Sequence, residues 1–149
     1  MRYNLSAHPD DEVIWFNPDD YDKIVICFTD RPDVPAFGDS RRQAMKELSY
    51  ADKIINLDLT ESNYWRDKTK REDYLDNYQD VCEWLEENIL VGDTITTHNP
   101  YGEYGHTDHI LCWHACMEVV DCPVNGRDPK LYREAKGIYK QNKIWTWEL

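Results

Sequence analysis

The chain has no apolar run approaching the roughly 18 residues that a membrane-spanning helix requires, so a bilayer span is not expected. It also lacks the hydrophobic stretch of a secretory leader, because Met1 to Ser6 enters patterned sequence at once. Positive charge is scarce, with 17 Lys and Arg against 29 Asp and Glu for a net charge of -12. That balance argues against nonspecific binding to nucleic acid or to an anionic membrane, which needs local positive charge. A small molecule derived from a nucleic acid is not excluded, and a bound divalent cation would invert the sign of a pocket. The cysteines at 27, 82, 112, 116 and 122 are odd in number and lack paired-framework spacing. This favours a reducing compartment, and cytoplasm is the expected location. No repeat, low-complexity tract or composition shift marks a second unit, so the 149 residues read as one domain, 1–149.

What is present is a repeated switch between strand-like and helix-like patterns. Leu5 to Ala7 closes a short first strand, and Lys23 to Thr29 is a nearly continuous apolar run, as in a strand covered on both faces. Asp30 to Gly38 reads as a loop, and Asp39 or Ser40 caps a helix to about Tyr50. Lys53 to Leu59 follows as a strand, Thr60 to Lys70 as a polar loop, and Arg71 to Leu90 as a helix. Thr94 to Thr97 is a strand, His98 to Gly105 a glycine-containing loop, and Thr107 to Val120 a helix. A turn at Cys122 to Pro129, a helix from Lys130 to Asn142 and a short strand within Lys143 to Glu148 complete the chain. The alternation implies an α/β, Rossmann-like fold with a mainly parallel sheet and helices on both faces. In such a sheet ligands bind beyond the carboxyl ends of the strands, near a switch in strand order.

Two loops that follow expected strands carry clustered ionisable residues: Ala7-His8-Pro9-Asp10-Asp11-Glu12 and His98 to His109. Adjacent carboxylates repel unless a cation or a set of donors compensates them. His8 and Asp11 are three apart, so one turn places both on one face. With His109 they make a two-histidine, one-carboxylate set suited to Zn2+, with Fe2+ and Mn2+ as alternatives. Such a set leaves positions open for water and substrate, as a catalytic site needs. Asp10 is then the candidate base, and His106 a cation facing the developing oxyanion. Asp108 is a partner that raises the His106 pKa and fixes its ring, and Tyr104 is a phenolic donor to the same oxyanion. His98 is open between support of the site and contact with substrate. Trp65 and Tyr101 are candidates for stacking on a sugar. Arg31, Arg41, Arg42, Arg66 and Arg71 are candidates for sugar or phosphate contacts. Cys112 and Cys116 read as small core residues and His114 as structural.

At these two loops the sequence resembles the PIG-L/LmbE superfamily of zinc-dependent de-N-acetylases. The segments that carry the resemblance are Ala7 to Glu12 and Thr97 to His109, with weaker similarity over most of the chain. The resemblance implies a Rossmann-like fold that binds no dinucleotide, and hydrolysis of the acetamide of an N-acetylglucosamine-containing small molecule or glycoconjugate. It also implies His8, Asp11 and His109 as zinc ligands, Asp10 as base, and His106, Asp108 and Tyr104 as the groups that handle the oxyanion and the leaving amine. The chain departs from the family in its short length, in Thr107 where a proline is usual, in Ala44, and over Thr60 to Arg71. Another amidase or esterase, or a catalytically reduced metal-containing binding protein, is the alternative reading. The aromatic content and short substrate loops suggest a homo-oligomer.

Overall fold

The computed structural model describes residues 1–119 and 129–144. Strands β1 (Arg2–Ser6), β2 (Lys23–Asp30), β3 (Ile54–Thr60) and β4 (Thr94–Thr97) pair in the order β3-β2-β1-β4, all in parallel. The helices are α1 (Asp11–Ile14), α2 (Phe37–Glu47), α3 (Arg71–Asn88), a kinked turn α4 (Gly102–Gly105), α5 (Thr107–Val119) and α6 (Pro129–Gln141). The sheet is flanked by helices on both sides, as the alternating pattern implied.

The continuous apolar run of β2 is buried on both faces because each face meets its own helical layer. Val25 and Cys27 pack with Leu5, with Val81 and Leu85 of α3, and with Leu111, Cys112, Ala115 and Cys116 of α5. Ile24 and Ile26 point the other way, toward Val13 of α1, Ala44 and Met45 of α2, and Ala135 and Tyr139 of α6. Each large apolar side chain so buried contributes about 1.5–3 kcal/mol relative to exposure. Strict alternation would send Phe28 to the Ile24 face, yet it packs with Val25 and Cys27. The β2–β3 register is irregular between Ile26 and Phe28, and that shift turns Phe28 toward His8, ring to ring at 6.1 Å.

The first strand begins earlier than its composition suggests, at Arg2. Its buried polar residues satisfy one another and a neighbour: Ser6 donates to Asn4 at 2.7 Å, and Asn4 donates to the Thr96 carbonyl at 3.3 Å. Helix α2 starts at Phe37, ahead of Asp39 and Ser40, and Asp39 lies in its first turn. Of the expected turn at Cys122 to Pro129, only Pro129 falls among the described residues, and it opens α6. The expected C-terminal strand lies outside the described residues except for Lys143, which closes a turn onto Lys140, and Ile144.

The chain runs outward from β1 through β2 to β3, then returns with β4 on the other side of β1. The order therefore reverses between β1 and β4, and the two ionisable loops leave the carboxyl ends of those two strands. A crevice at such a reversal is where open parallel sheets bind ligands.

Candidate metal centre

Beyond β1 the backbone turns sharply, with Asp10 in the left-handed region at φ 99°. Asp11 opens α1, and its buried carboxylate becomes the hub of the site. Asp11 Oδ2 accepts from the His8 backbone N–H at 2.8 Å and lies 3.1 Å from His8 Nδ1 and 3.2 Å from His109 Nε2. Asp11 Oδ1 accepts from the Trp15 indole at 3.2 Å. In a tetrahedral zinc site with bonds of about 2.0 Å, ligand atoms sit about 3.3 Å apart. Both nitrogen-to-oxygen distances match that edge.

His109 Nε2 is buried and makes no hydrogen bond. It is near Asp11, but the pair lacks the alignment that a hydrogen bond requires. On the other side of the ring, His109 Nδ1 meets Glu103 Oε2 at 2.6 Å. That contact holds a proton on Nδ1, so that once Nε2 gives up its own proton its lone pair faces Asp11, the state in which an imidazole binds a cation. His8 is arranged similarly, with Nδ1 toward Asp11 and Nε2 2.9 Å from Asp108 Oδ2. Each histidine thus turns one nitrogen to Asp11 and has a carboxylate behind the other. The residues fit a divalent cation held by His8, Asp11 and His109, with Asp108 and Glu103 orienting the rings.

Two further clusters of potential ligands share these residues: His98 with Glu103 and His109, and His8 with His106 and Asp108. In the first, His98 Nε2 accepts from the Ala7 N–H at 3.0 Å and Nδ1 donates to Glu103 at 3.0 Å, so its donors and acceptors are already used. In the second, His106 Nδ1 accepts from the Asp108 N–H at 3.1 Å. These bonds favour the His8, Asp11 and His109 set as the place for an ion.

The pKa directions follow the same crowding. Burial opposes charge on His8, but Glu61, Asp108 and Asp11 outweigh it and hold the imidazole well above its usual value. Burial likewise opposes charge on His109, and Asp11 and Glu103 raise it. Burial would raise Asp11, yet His109 and His8 pull it well below the usual carboxylate range. In the metal-free protein, protons on the two histidines supply the positive charge that Asp11 demands. Burial pushes Asp10 up strongly, with the charges of Asp11 and Glu12 adding to it. Burial raises Glu103 as well, but its bonds to His109 and His98 bring it down to about 2. Burial, then the charge on His8, drives His106 down to about 3, outweighing the pull of Asp108. His106 is therefore neutral, and because Nδ1 accepts, its proton sits on Nε2.

His8, Asp10, Asp11, Tyr104, His106 and Asp108 line a cavity of about 320 Å³. Tyr104 approaches edge-on to His106 at 5.9 Å and to His109 at 5.5 Å, centroid to centroid. The fold thus brings all seven sequence-derived site residues into one constellation. One expected pairing differs. The Asp108 carboxylate bonds to His8, and only its backbone N–H reaches His106. Trp65 stacks on His106 with centroids 5.0 Å apart, whereas Tyr101 is exposed and not part of the lining. Arg31, Arg41 and Arg66 line the cavity. Arg42 does not, being engaged with Asp30, Asp39 and Asp58, and Arg71 is also outside it. His114 is exposed on α5, away from these clusters.

Glu103 and Glu61 were not singled out by sequence. Glu103 acts through left-handed turns at Gly102 (φ 60°) and Glu103 (φ 60°), which no periodicity reveals. Gly102 is required there for space too, since a Cβ would lie 2.9 Å from Ile110 Cγ1. Glu61 lies just past β3, 3.7 Å from His8 Nε2 and 2.7 Å from Arg41 Nη1, between the two residues in the cavity lining. Glu12 belongs to the motif segment, but its spacing assigned it no task; in the fold it is fully buried.

No protein-family model matches the chain, and no curated protein matches it. The α/β fold and the clustered histidines and carboxylates are of the kind used in metal-dependent hydrolysis in general.

Proposed function

We propose that the chain, as a single domain, is a metal-dependent N-deacetylase that releases acetate from an N-acetylglucosamine-containing small molecule or glycoconjugate. The observation that carries this reading is the buried, unbonded His109 Nε2 aimed at Asp11 beside a cavity that also holds Asp10, His106 and Tyr104. A divalent cation bound there, zinc by the donor set and otherwise iron or manganese, polarises an acyl oxygen and acidifies water. Asp10, raised by burial and by neighbouring carboxylates, takes the proton of the attacking water. The neutral His106 donates from Nε2 to the developing oxyanion, and the Tyr104 hydroxyl assists it. Asp10 then returns its proton to the departing amine. Asp108 keeps His8 oriented, and its pull on His106 is outweighed by burial, so His106 acts as a neutral donor rather than as the expected cation.

The rest of the cavity lining is suited to a polyhydroxylated body. Arg31, Arg41, Glu61 and Asn63 offer donors and an acceptor there, and Trp65 offers a ring face. The net charge of -12 fits a small polar substrate rather than a polyanion, and among the described residues no helix is long and apolar enough to cross a membrane; a cytoplasmic location and association of copies are further proposals.

Acetate release by the metal-loaded protein from a panel of N-acetylglucosamine conjugates tests the reading. Asp10→Asn is expected to lower kcat about 10²- to 10⁴-fold while the metal remains bound. Turnover of longer acyl chains or non-sugar amides in preference to acetylated sugars would replace it with a broader amidase. Sugar binding without acetate release from any conjugate would replace it with a binding protein.

A further inference from the structure

Glu12 is fully buried one residue beyond a proposed metal ligand, and the reaction just described gives it nothing to do. Its carboxylate is nevertheless the meeting point of three donors from separate parts of the chain. Glu12 Oε2 accepts from the Asp10 backbone N–H at 2.8 Å. Glu12 Oε1 accepts from the Tyr50 hydroxyl at 3.0 Å and from the Tyr139 hydroxyl at 2.6 Å. Tyr50 precedes β3 and Tyr139 lies on α6; both rings are buried in the core layer that contains α2 and α6. The far end of the carboxylate is therefore anchored in rigid core, and the near end grips one peptide group.

That peptide group, between Pro9 and Asp10, sets the conformation of the residue proposed as base. Asp10 stands at φ 99°, ψ -27°, a left-handed conformation that is strained for an ordinary L-residue. The Asp10 side chain makes no cap for α1, so the strain is not offset through its own carboxylate. The turn persists because its N–H has a fixed acceptor and its carbonyl receives the N–H groups of Val13 and Ile14 at 3.1 and 3.0 Å. A right-handed Asp10 would rotate its N–H away from Glu12 and leave both groups buried and unpaired, an unfavourable state for polar groups out of water.

We infer that Glu12, braced by Tyr50 and Tyr139, is a positioning residue that holds Asp10 in its left-handed turn and so keeps the Asp10 carboxylate aimed into the cavity. The catalytic part of this inference rests on the reading of Asp10 as base. Metal ligation does not run through Glu12, since the bonds that fix Asp11 come from His8 and Trp15. Loss of the brace is therefore expected to damage turnover and spare the metal.

The test is a double-mutant cycle between Glu12→Ala and Asp10→Asn, read by kinetics, metal competition and amide hydrogen exchange. Glu12→Ala is expected to lower kcat by about 10- to 100-fold, the scale of a misplacement near 1 Å. KM and metal affinity should change by less than about threefold, well under the effect of disturbing a ligand's own partner. In the Asp10→Asn background the same substitution should change the residual kcat by less than about twofold, the limit for sites that act through one another. Glu12→Gln is the conservative rescue. Its carbonyl can still accept from the Asp10 N–H, and its amide can donate to tyrosine hydroxyls that rotate to accept. It should recover most of the lost kcat. Exchange of the Asp10 amide should be slow in the wild type and in Glu12→Gln, and fast in Glu12→Ala. An equal loss from Glu12→Ala in both backgrounds overturns the inference, as does a parallel fall in metal affinity or a protected Asp10 amide in Glu12→Ala. Should the wild type release no acetate, the reading of Asp10 as base fails, and amide exchange alone then decides whether Glu12 is the brace.

Discussion

The end of β4 and the start of α5 each present a buried histidine to the same carboxylate, and the two rings stack 3.9 Å apart. His98 and His109 both contact Glu103 Oε2 through Nδ1, at 3.0 and 2.6 Å. They differ at the opposite nitrogen. His98 Nε2 takes the Ala7 N–H, whereas His109 Nε2 has no hydrogen bond and faces Asp11. The pKa directions divide accordingly: burial keeps His98 low, and Asp11 raises His109. Two residues of the same type, in one layer and sharing a partner, thus fall into different roles. One braces the β1 and β4 loops against each other, and the other, once its Nε2 proton is lost, is the ligand proposed for an ion. Ligand capacity is decided by what occupies the far nitrogen rather than by residue type or burial.

The most damaging way to probe that division is to remove the offered lone pair. His109→Ala is expected to lose metal by more than the roughly 10- to 100-fold typical of second-sphere changes, as checked by competition with a chromogenic chelator. Retention of stoichiometric metal would move the centre elsewhere. Glu103→Gln tests the shared partner next. It weakens the contact that fixes the His109 tautomer, and metal affinity should fall about 10- to 100-fold, with the fold intact by circular dichroism. His98→Gln should cost less than about tenfold in metal affinity, because its ring is only a brace to Glu103. Equal losses from His98→Gln and His109→Ala would erase the distinction.

The smallest effect is in pH dependence of stability. His8 and His109 have folded pKa values above the unfolded value of 6.5. Their stabilising contribution is fully present below pH 6.5 and is lost as pH rises through the folded values. Asp10 and Glu12, also raised by burial, and Glu12 to about 7, act in the same direction but from lower pH, their loss beginning above the ordinary carboxylate values of 3.8 and 4.5. Above pH 6.5 the metal-free protein should therefore lose Tm, by about 3 °C per pH unit for each proton it gives up. The gain in Tm on adding metal should grow over the same interval, since the ion replaces those protons. Calorimetry with and without chelator checks both slopes, and a metal-free Tm that rises above pH 6.5 would contradict the proton assignments.

The layering was legible because it rests on local periodicity. β2 reads as a doubly covered strand from its composition, and the α3 pattern over Leu75 to Leu85 reads as a helix. The start of β1 was hidden because its polar residues, Asn4 and Ser6, find partners across the sheet rather than in sequence. The start of α2 was displaced because Asp39, a good capping residue, forms an ion pair with Arg42 inside the first turn. In the site, spacing within the two loops was enough to group the candidate residues. Glu61 and the allegiance of Asp108 depend on contacts across the fold, and Glu103 depends on left-handed backbone within its loop, so these were not legible.

The sequence by itself determined the α/β alternation, the two ionisable loops at strand ends, and the residue types able to hold a cation. These follow from side-chain chemistry and from distances of a few residues along the chain. Only the tertiary structure decided which group each carboxylate serves: Asp108 the His8 ring, Glu103 the His109 ring, and Glu12 the Asp10 backbone N–H. Those pairings span up to 100 residues, or turn on left-handed backbone at Asp10 and Glu103. A one-dimensional pattern does not encode the direction of a buried hydrogen bond, and that direction sets which nitrogen keeps a free lone pair.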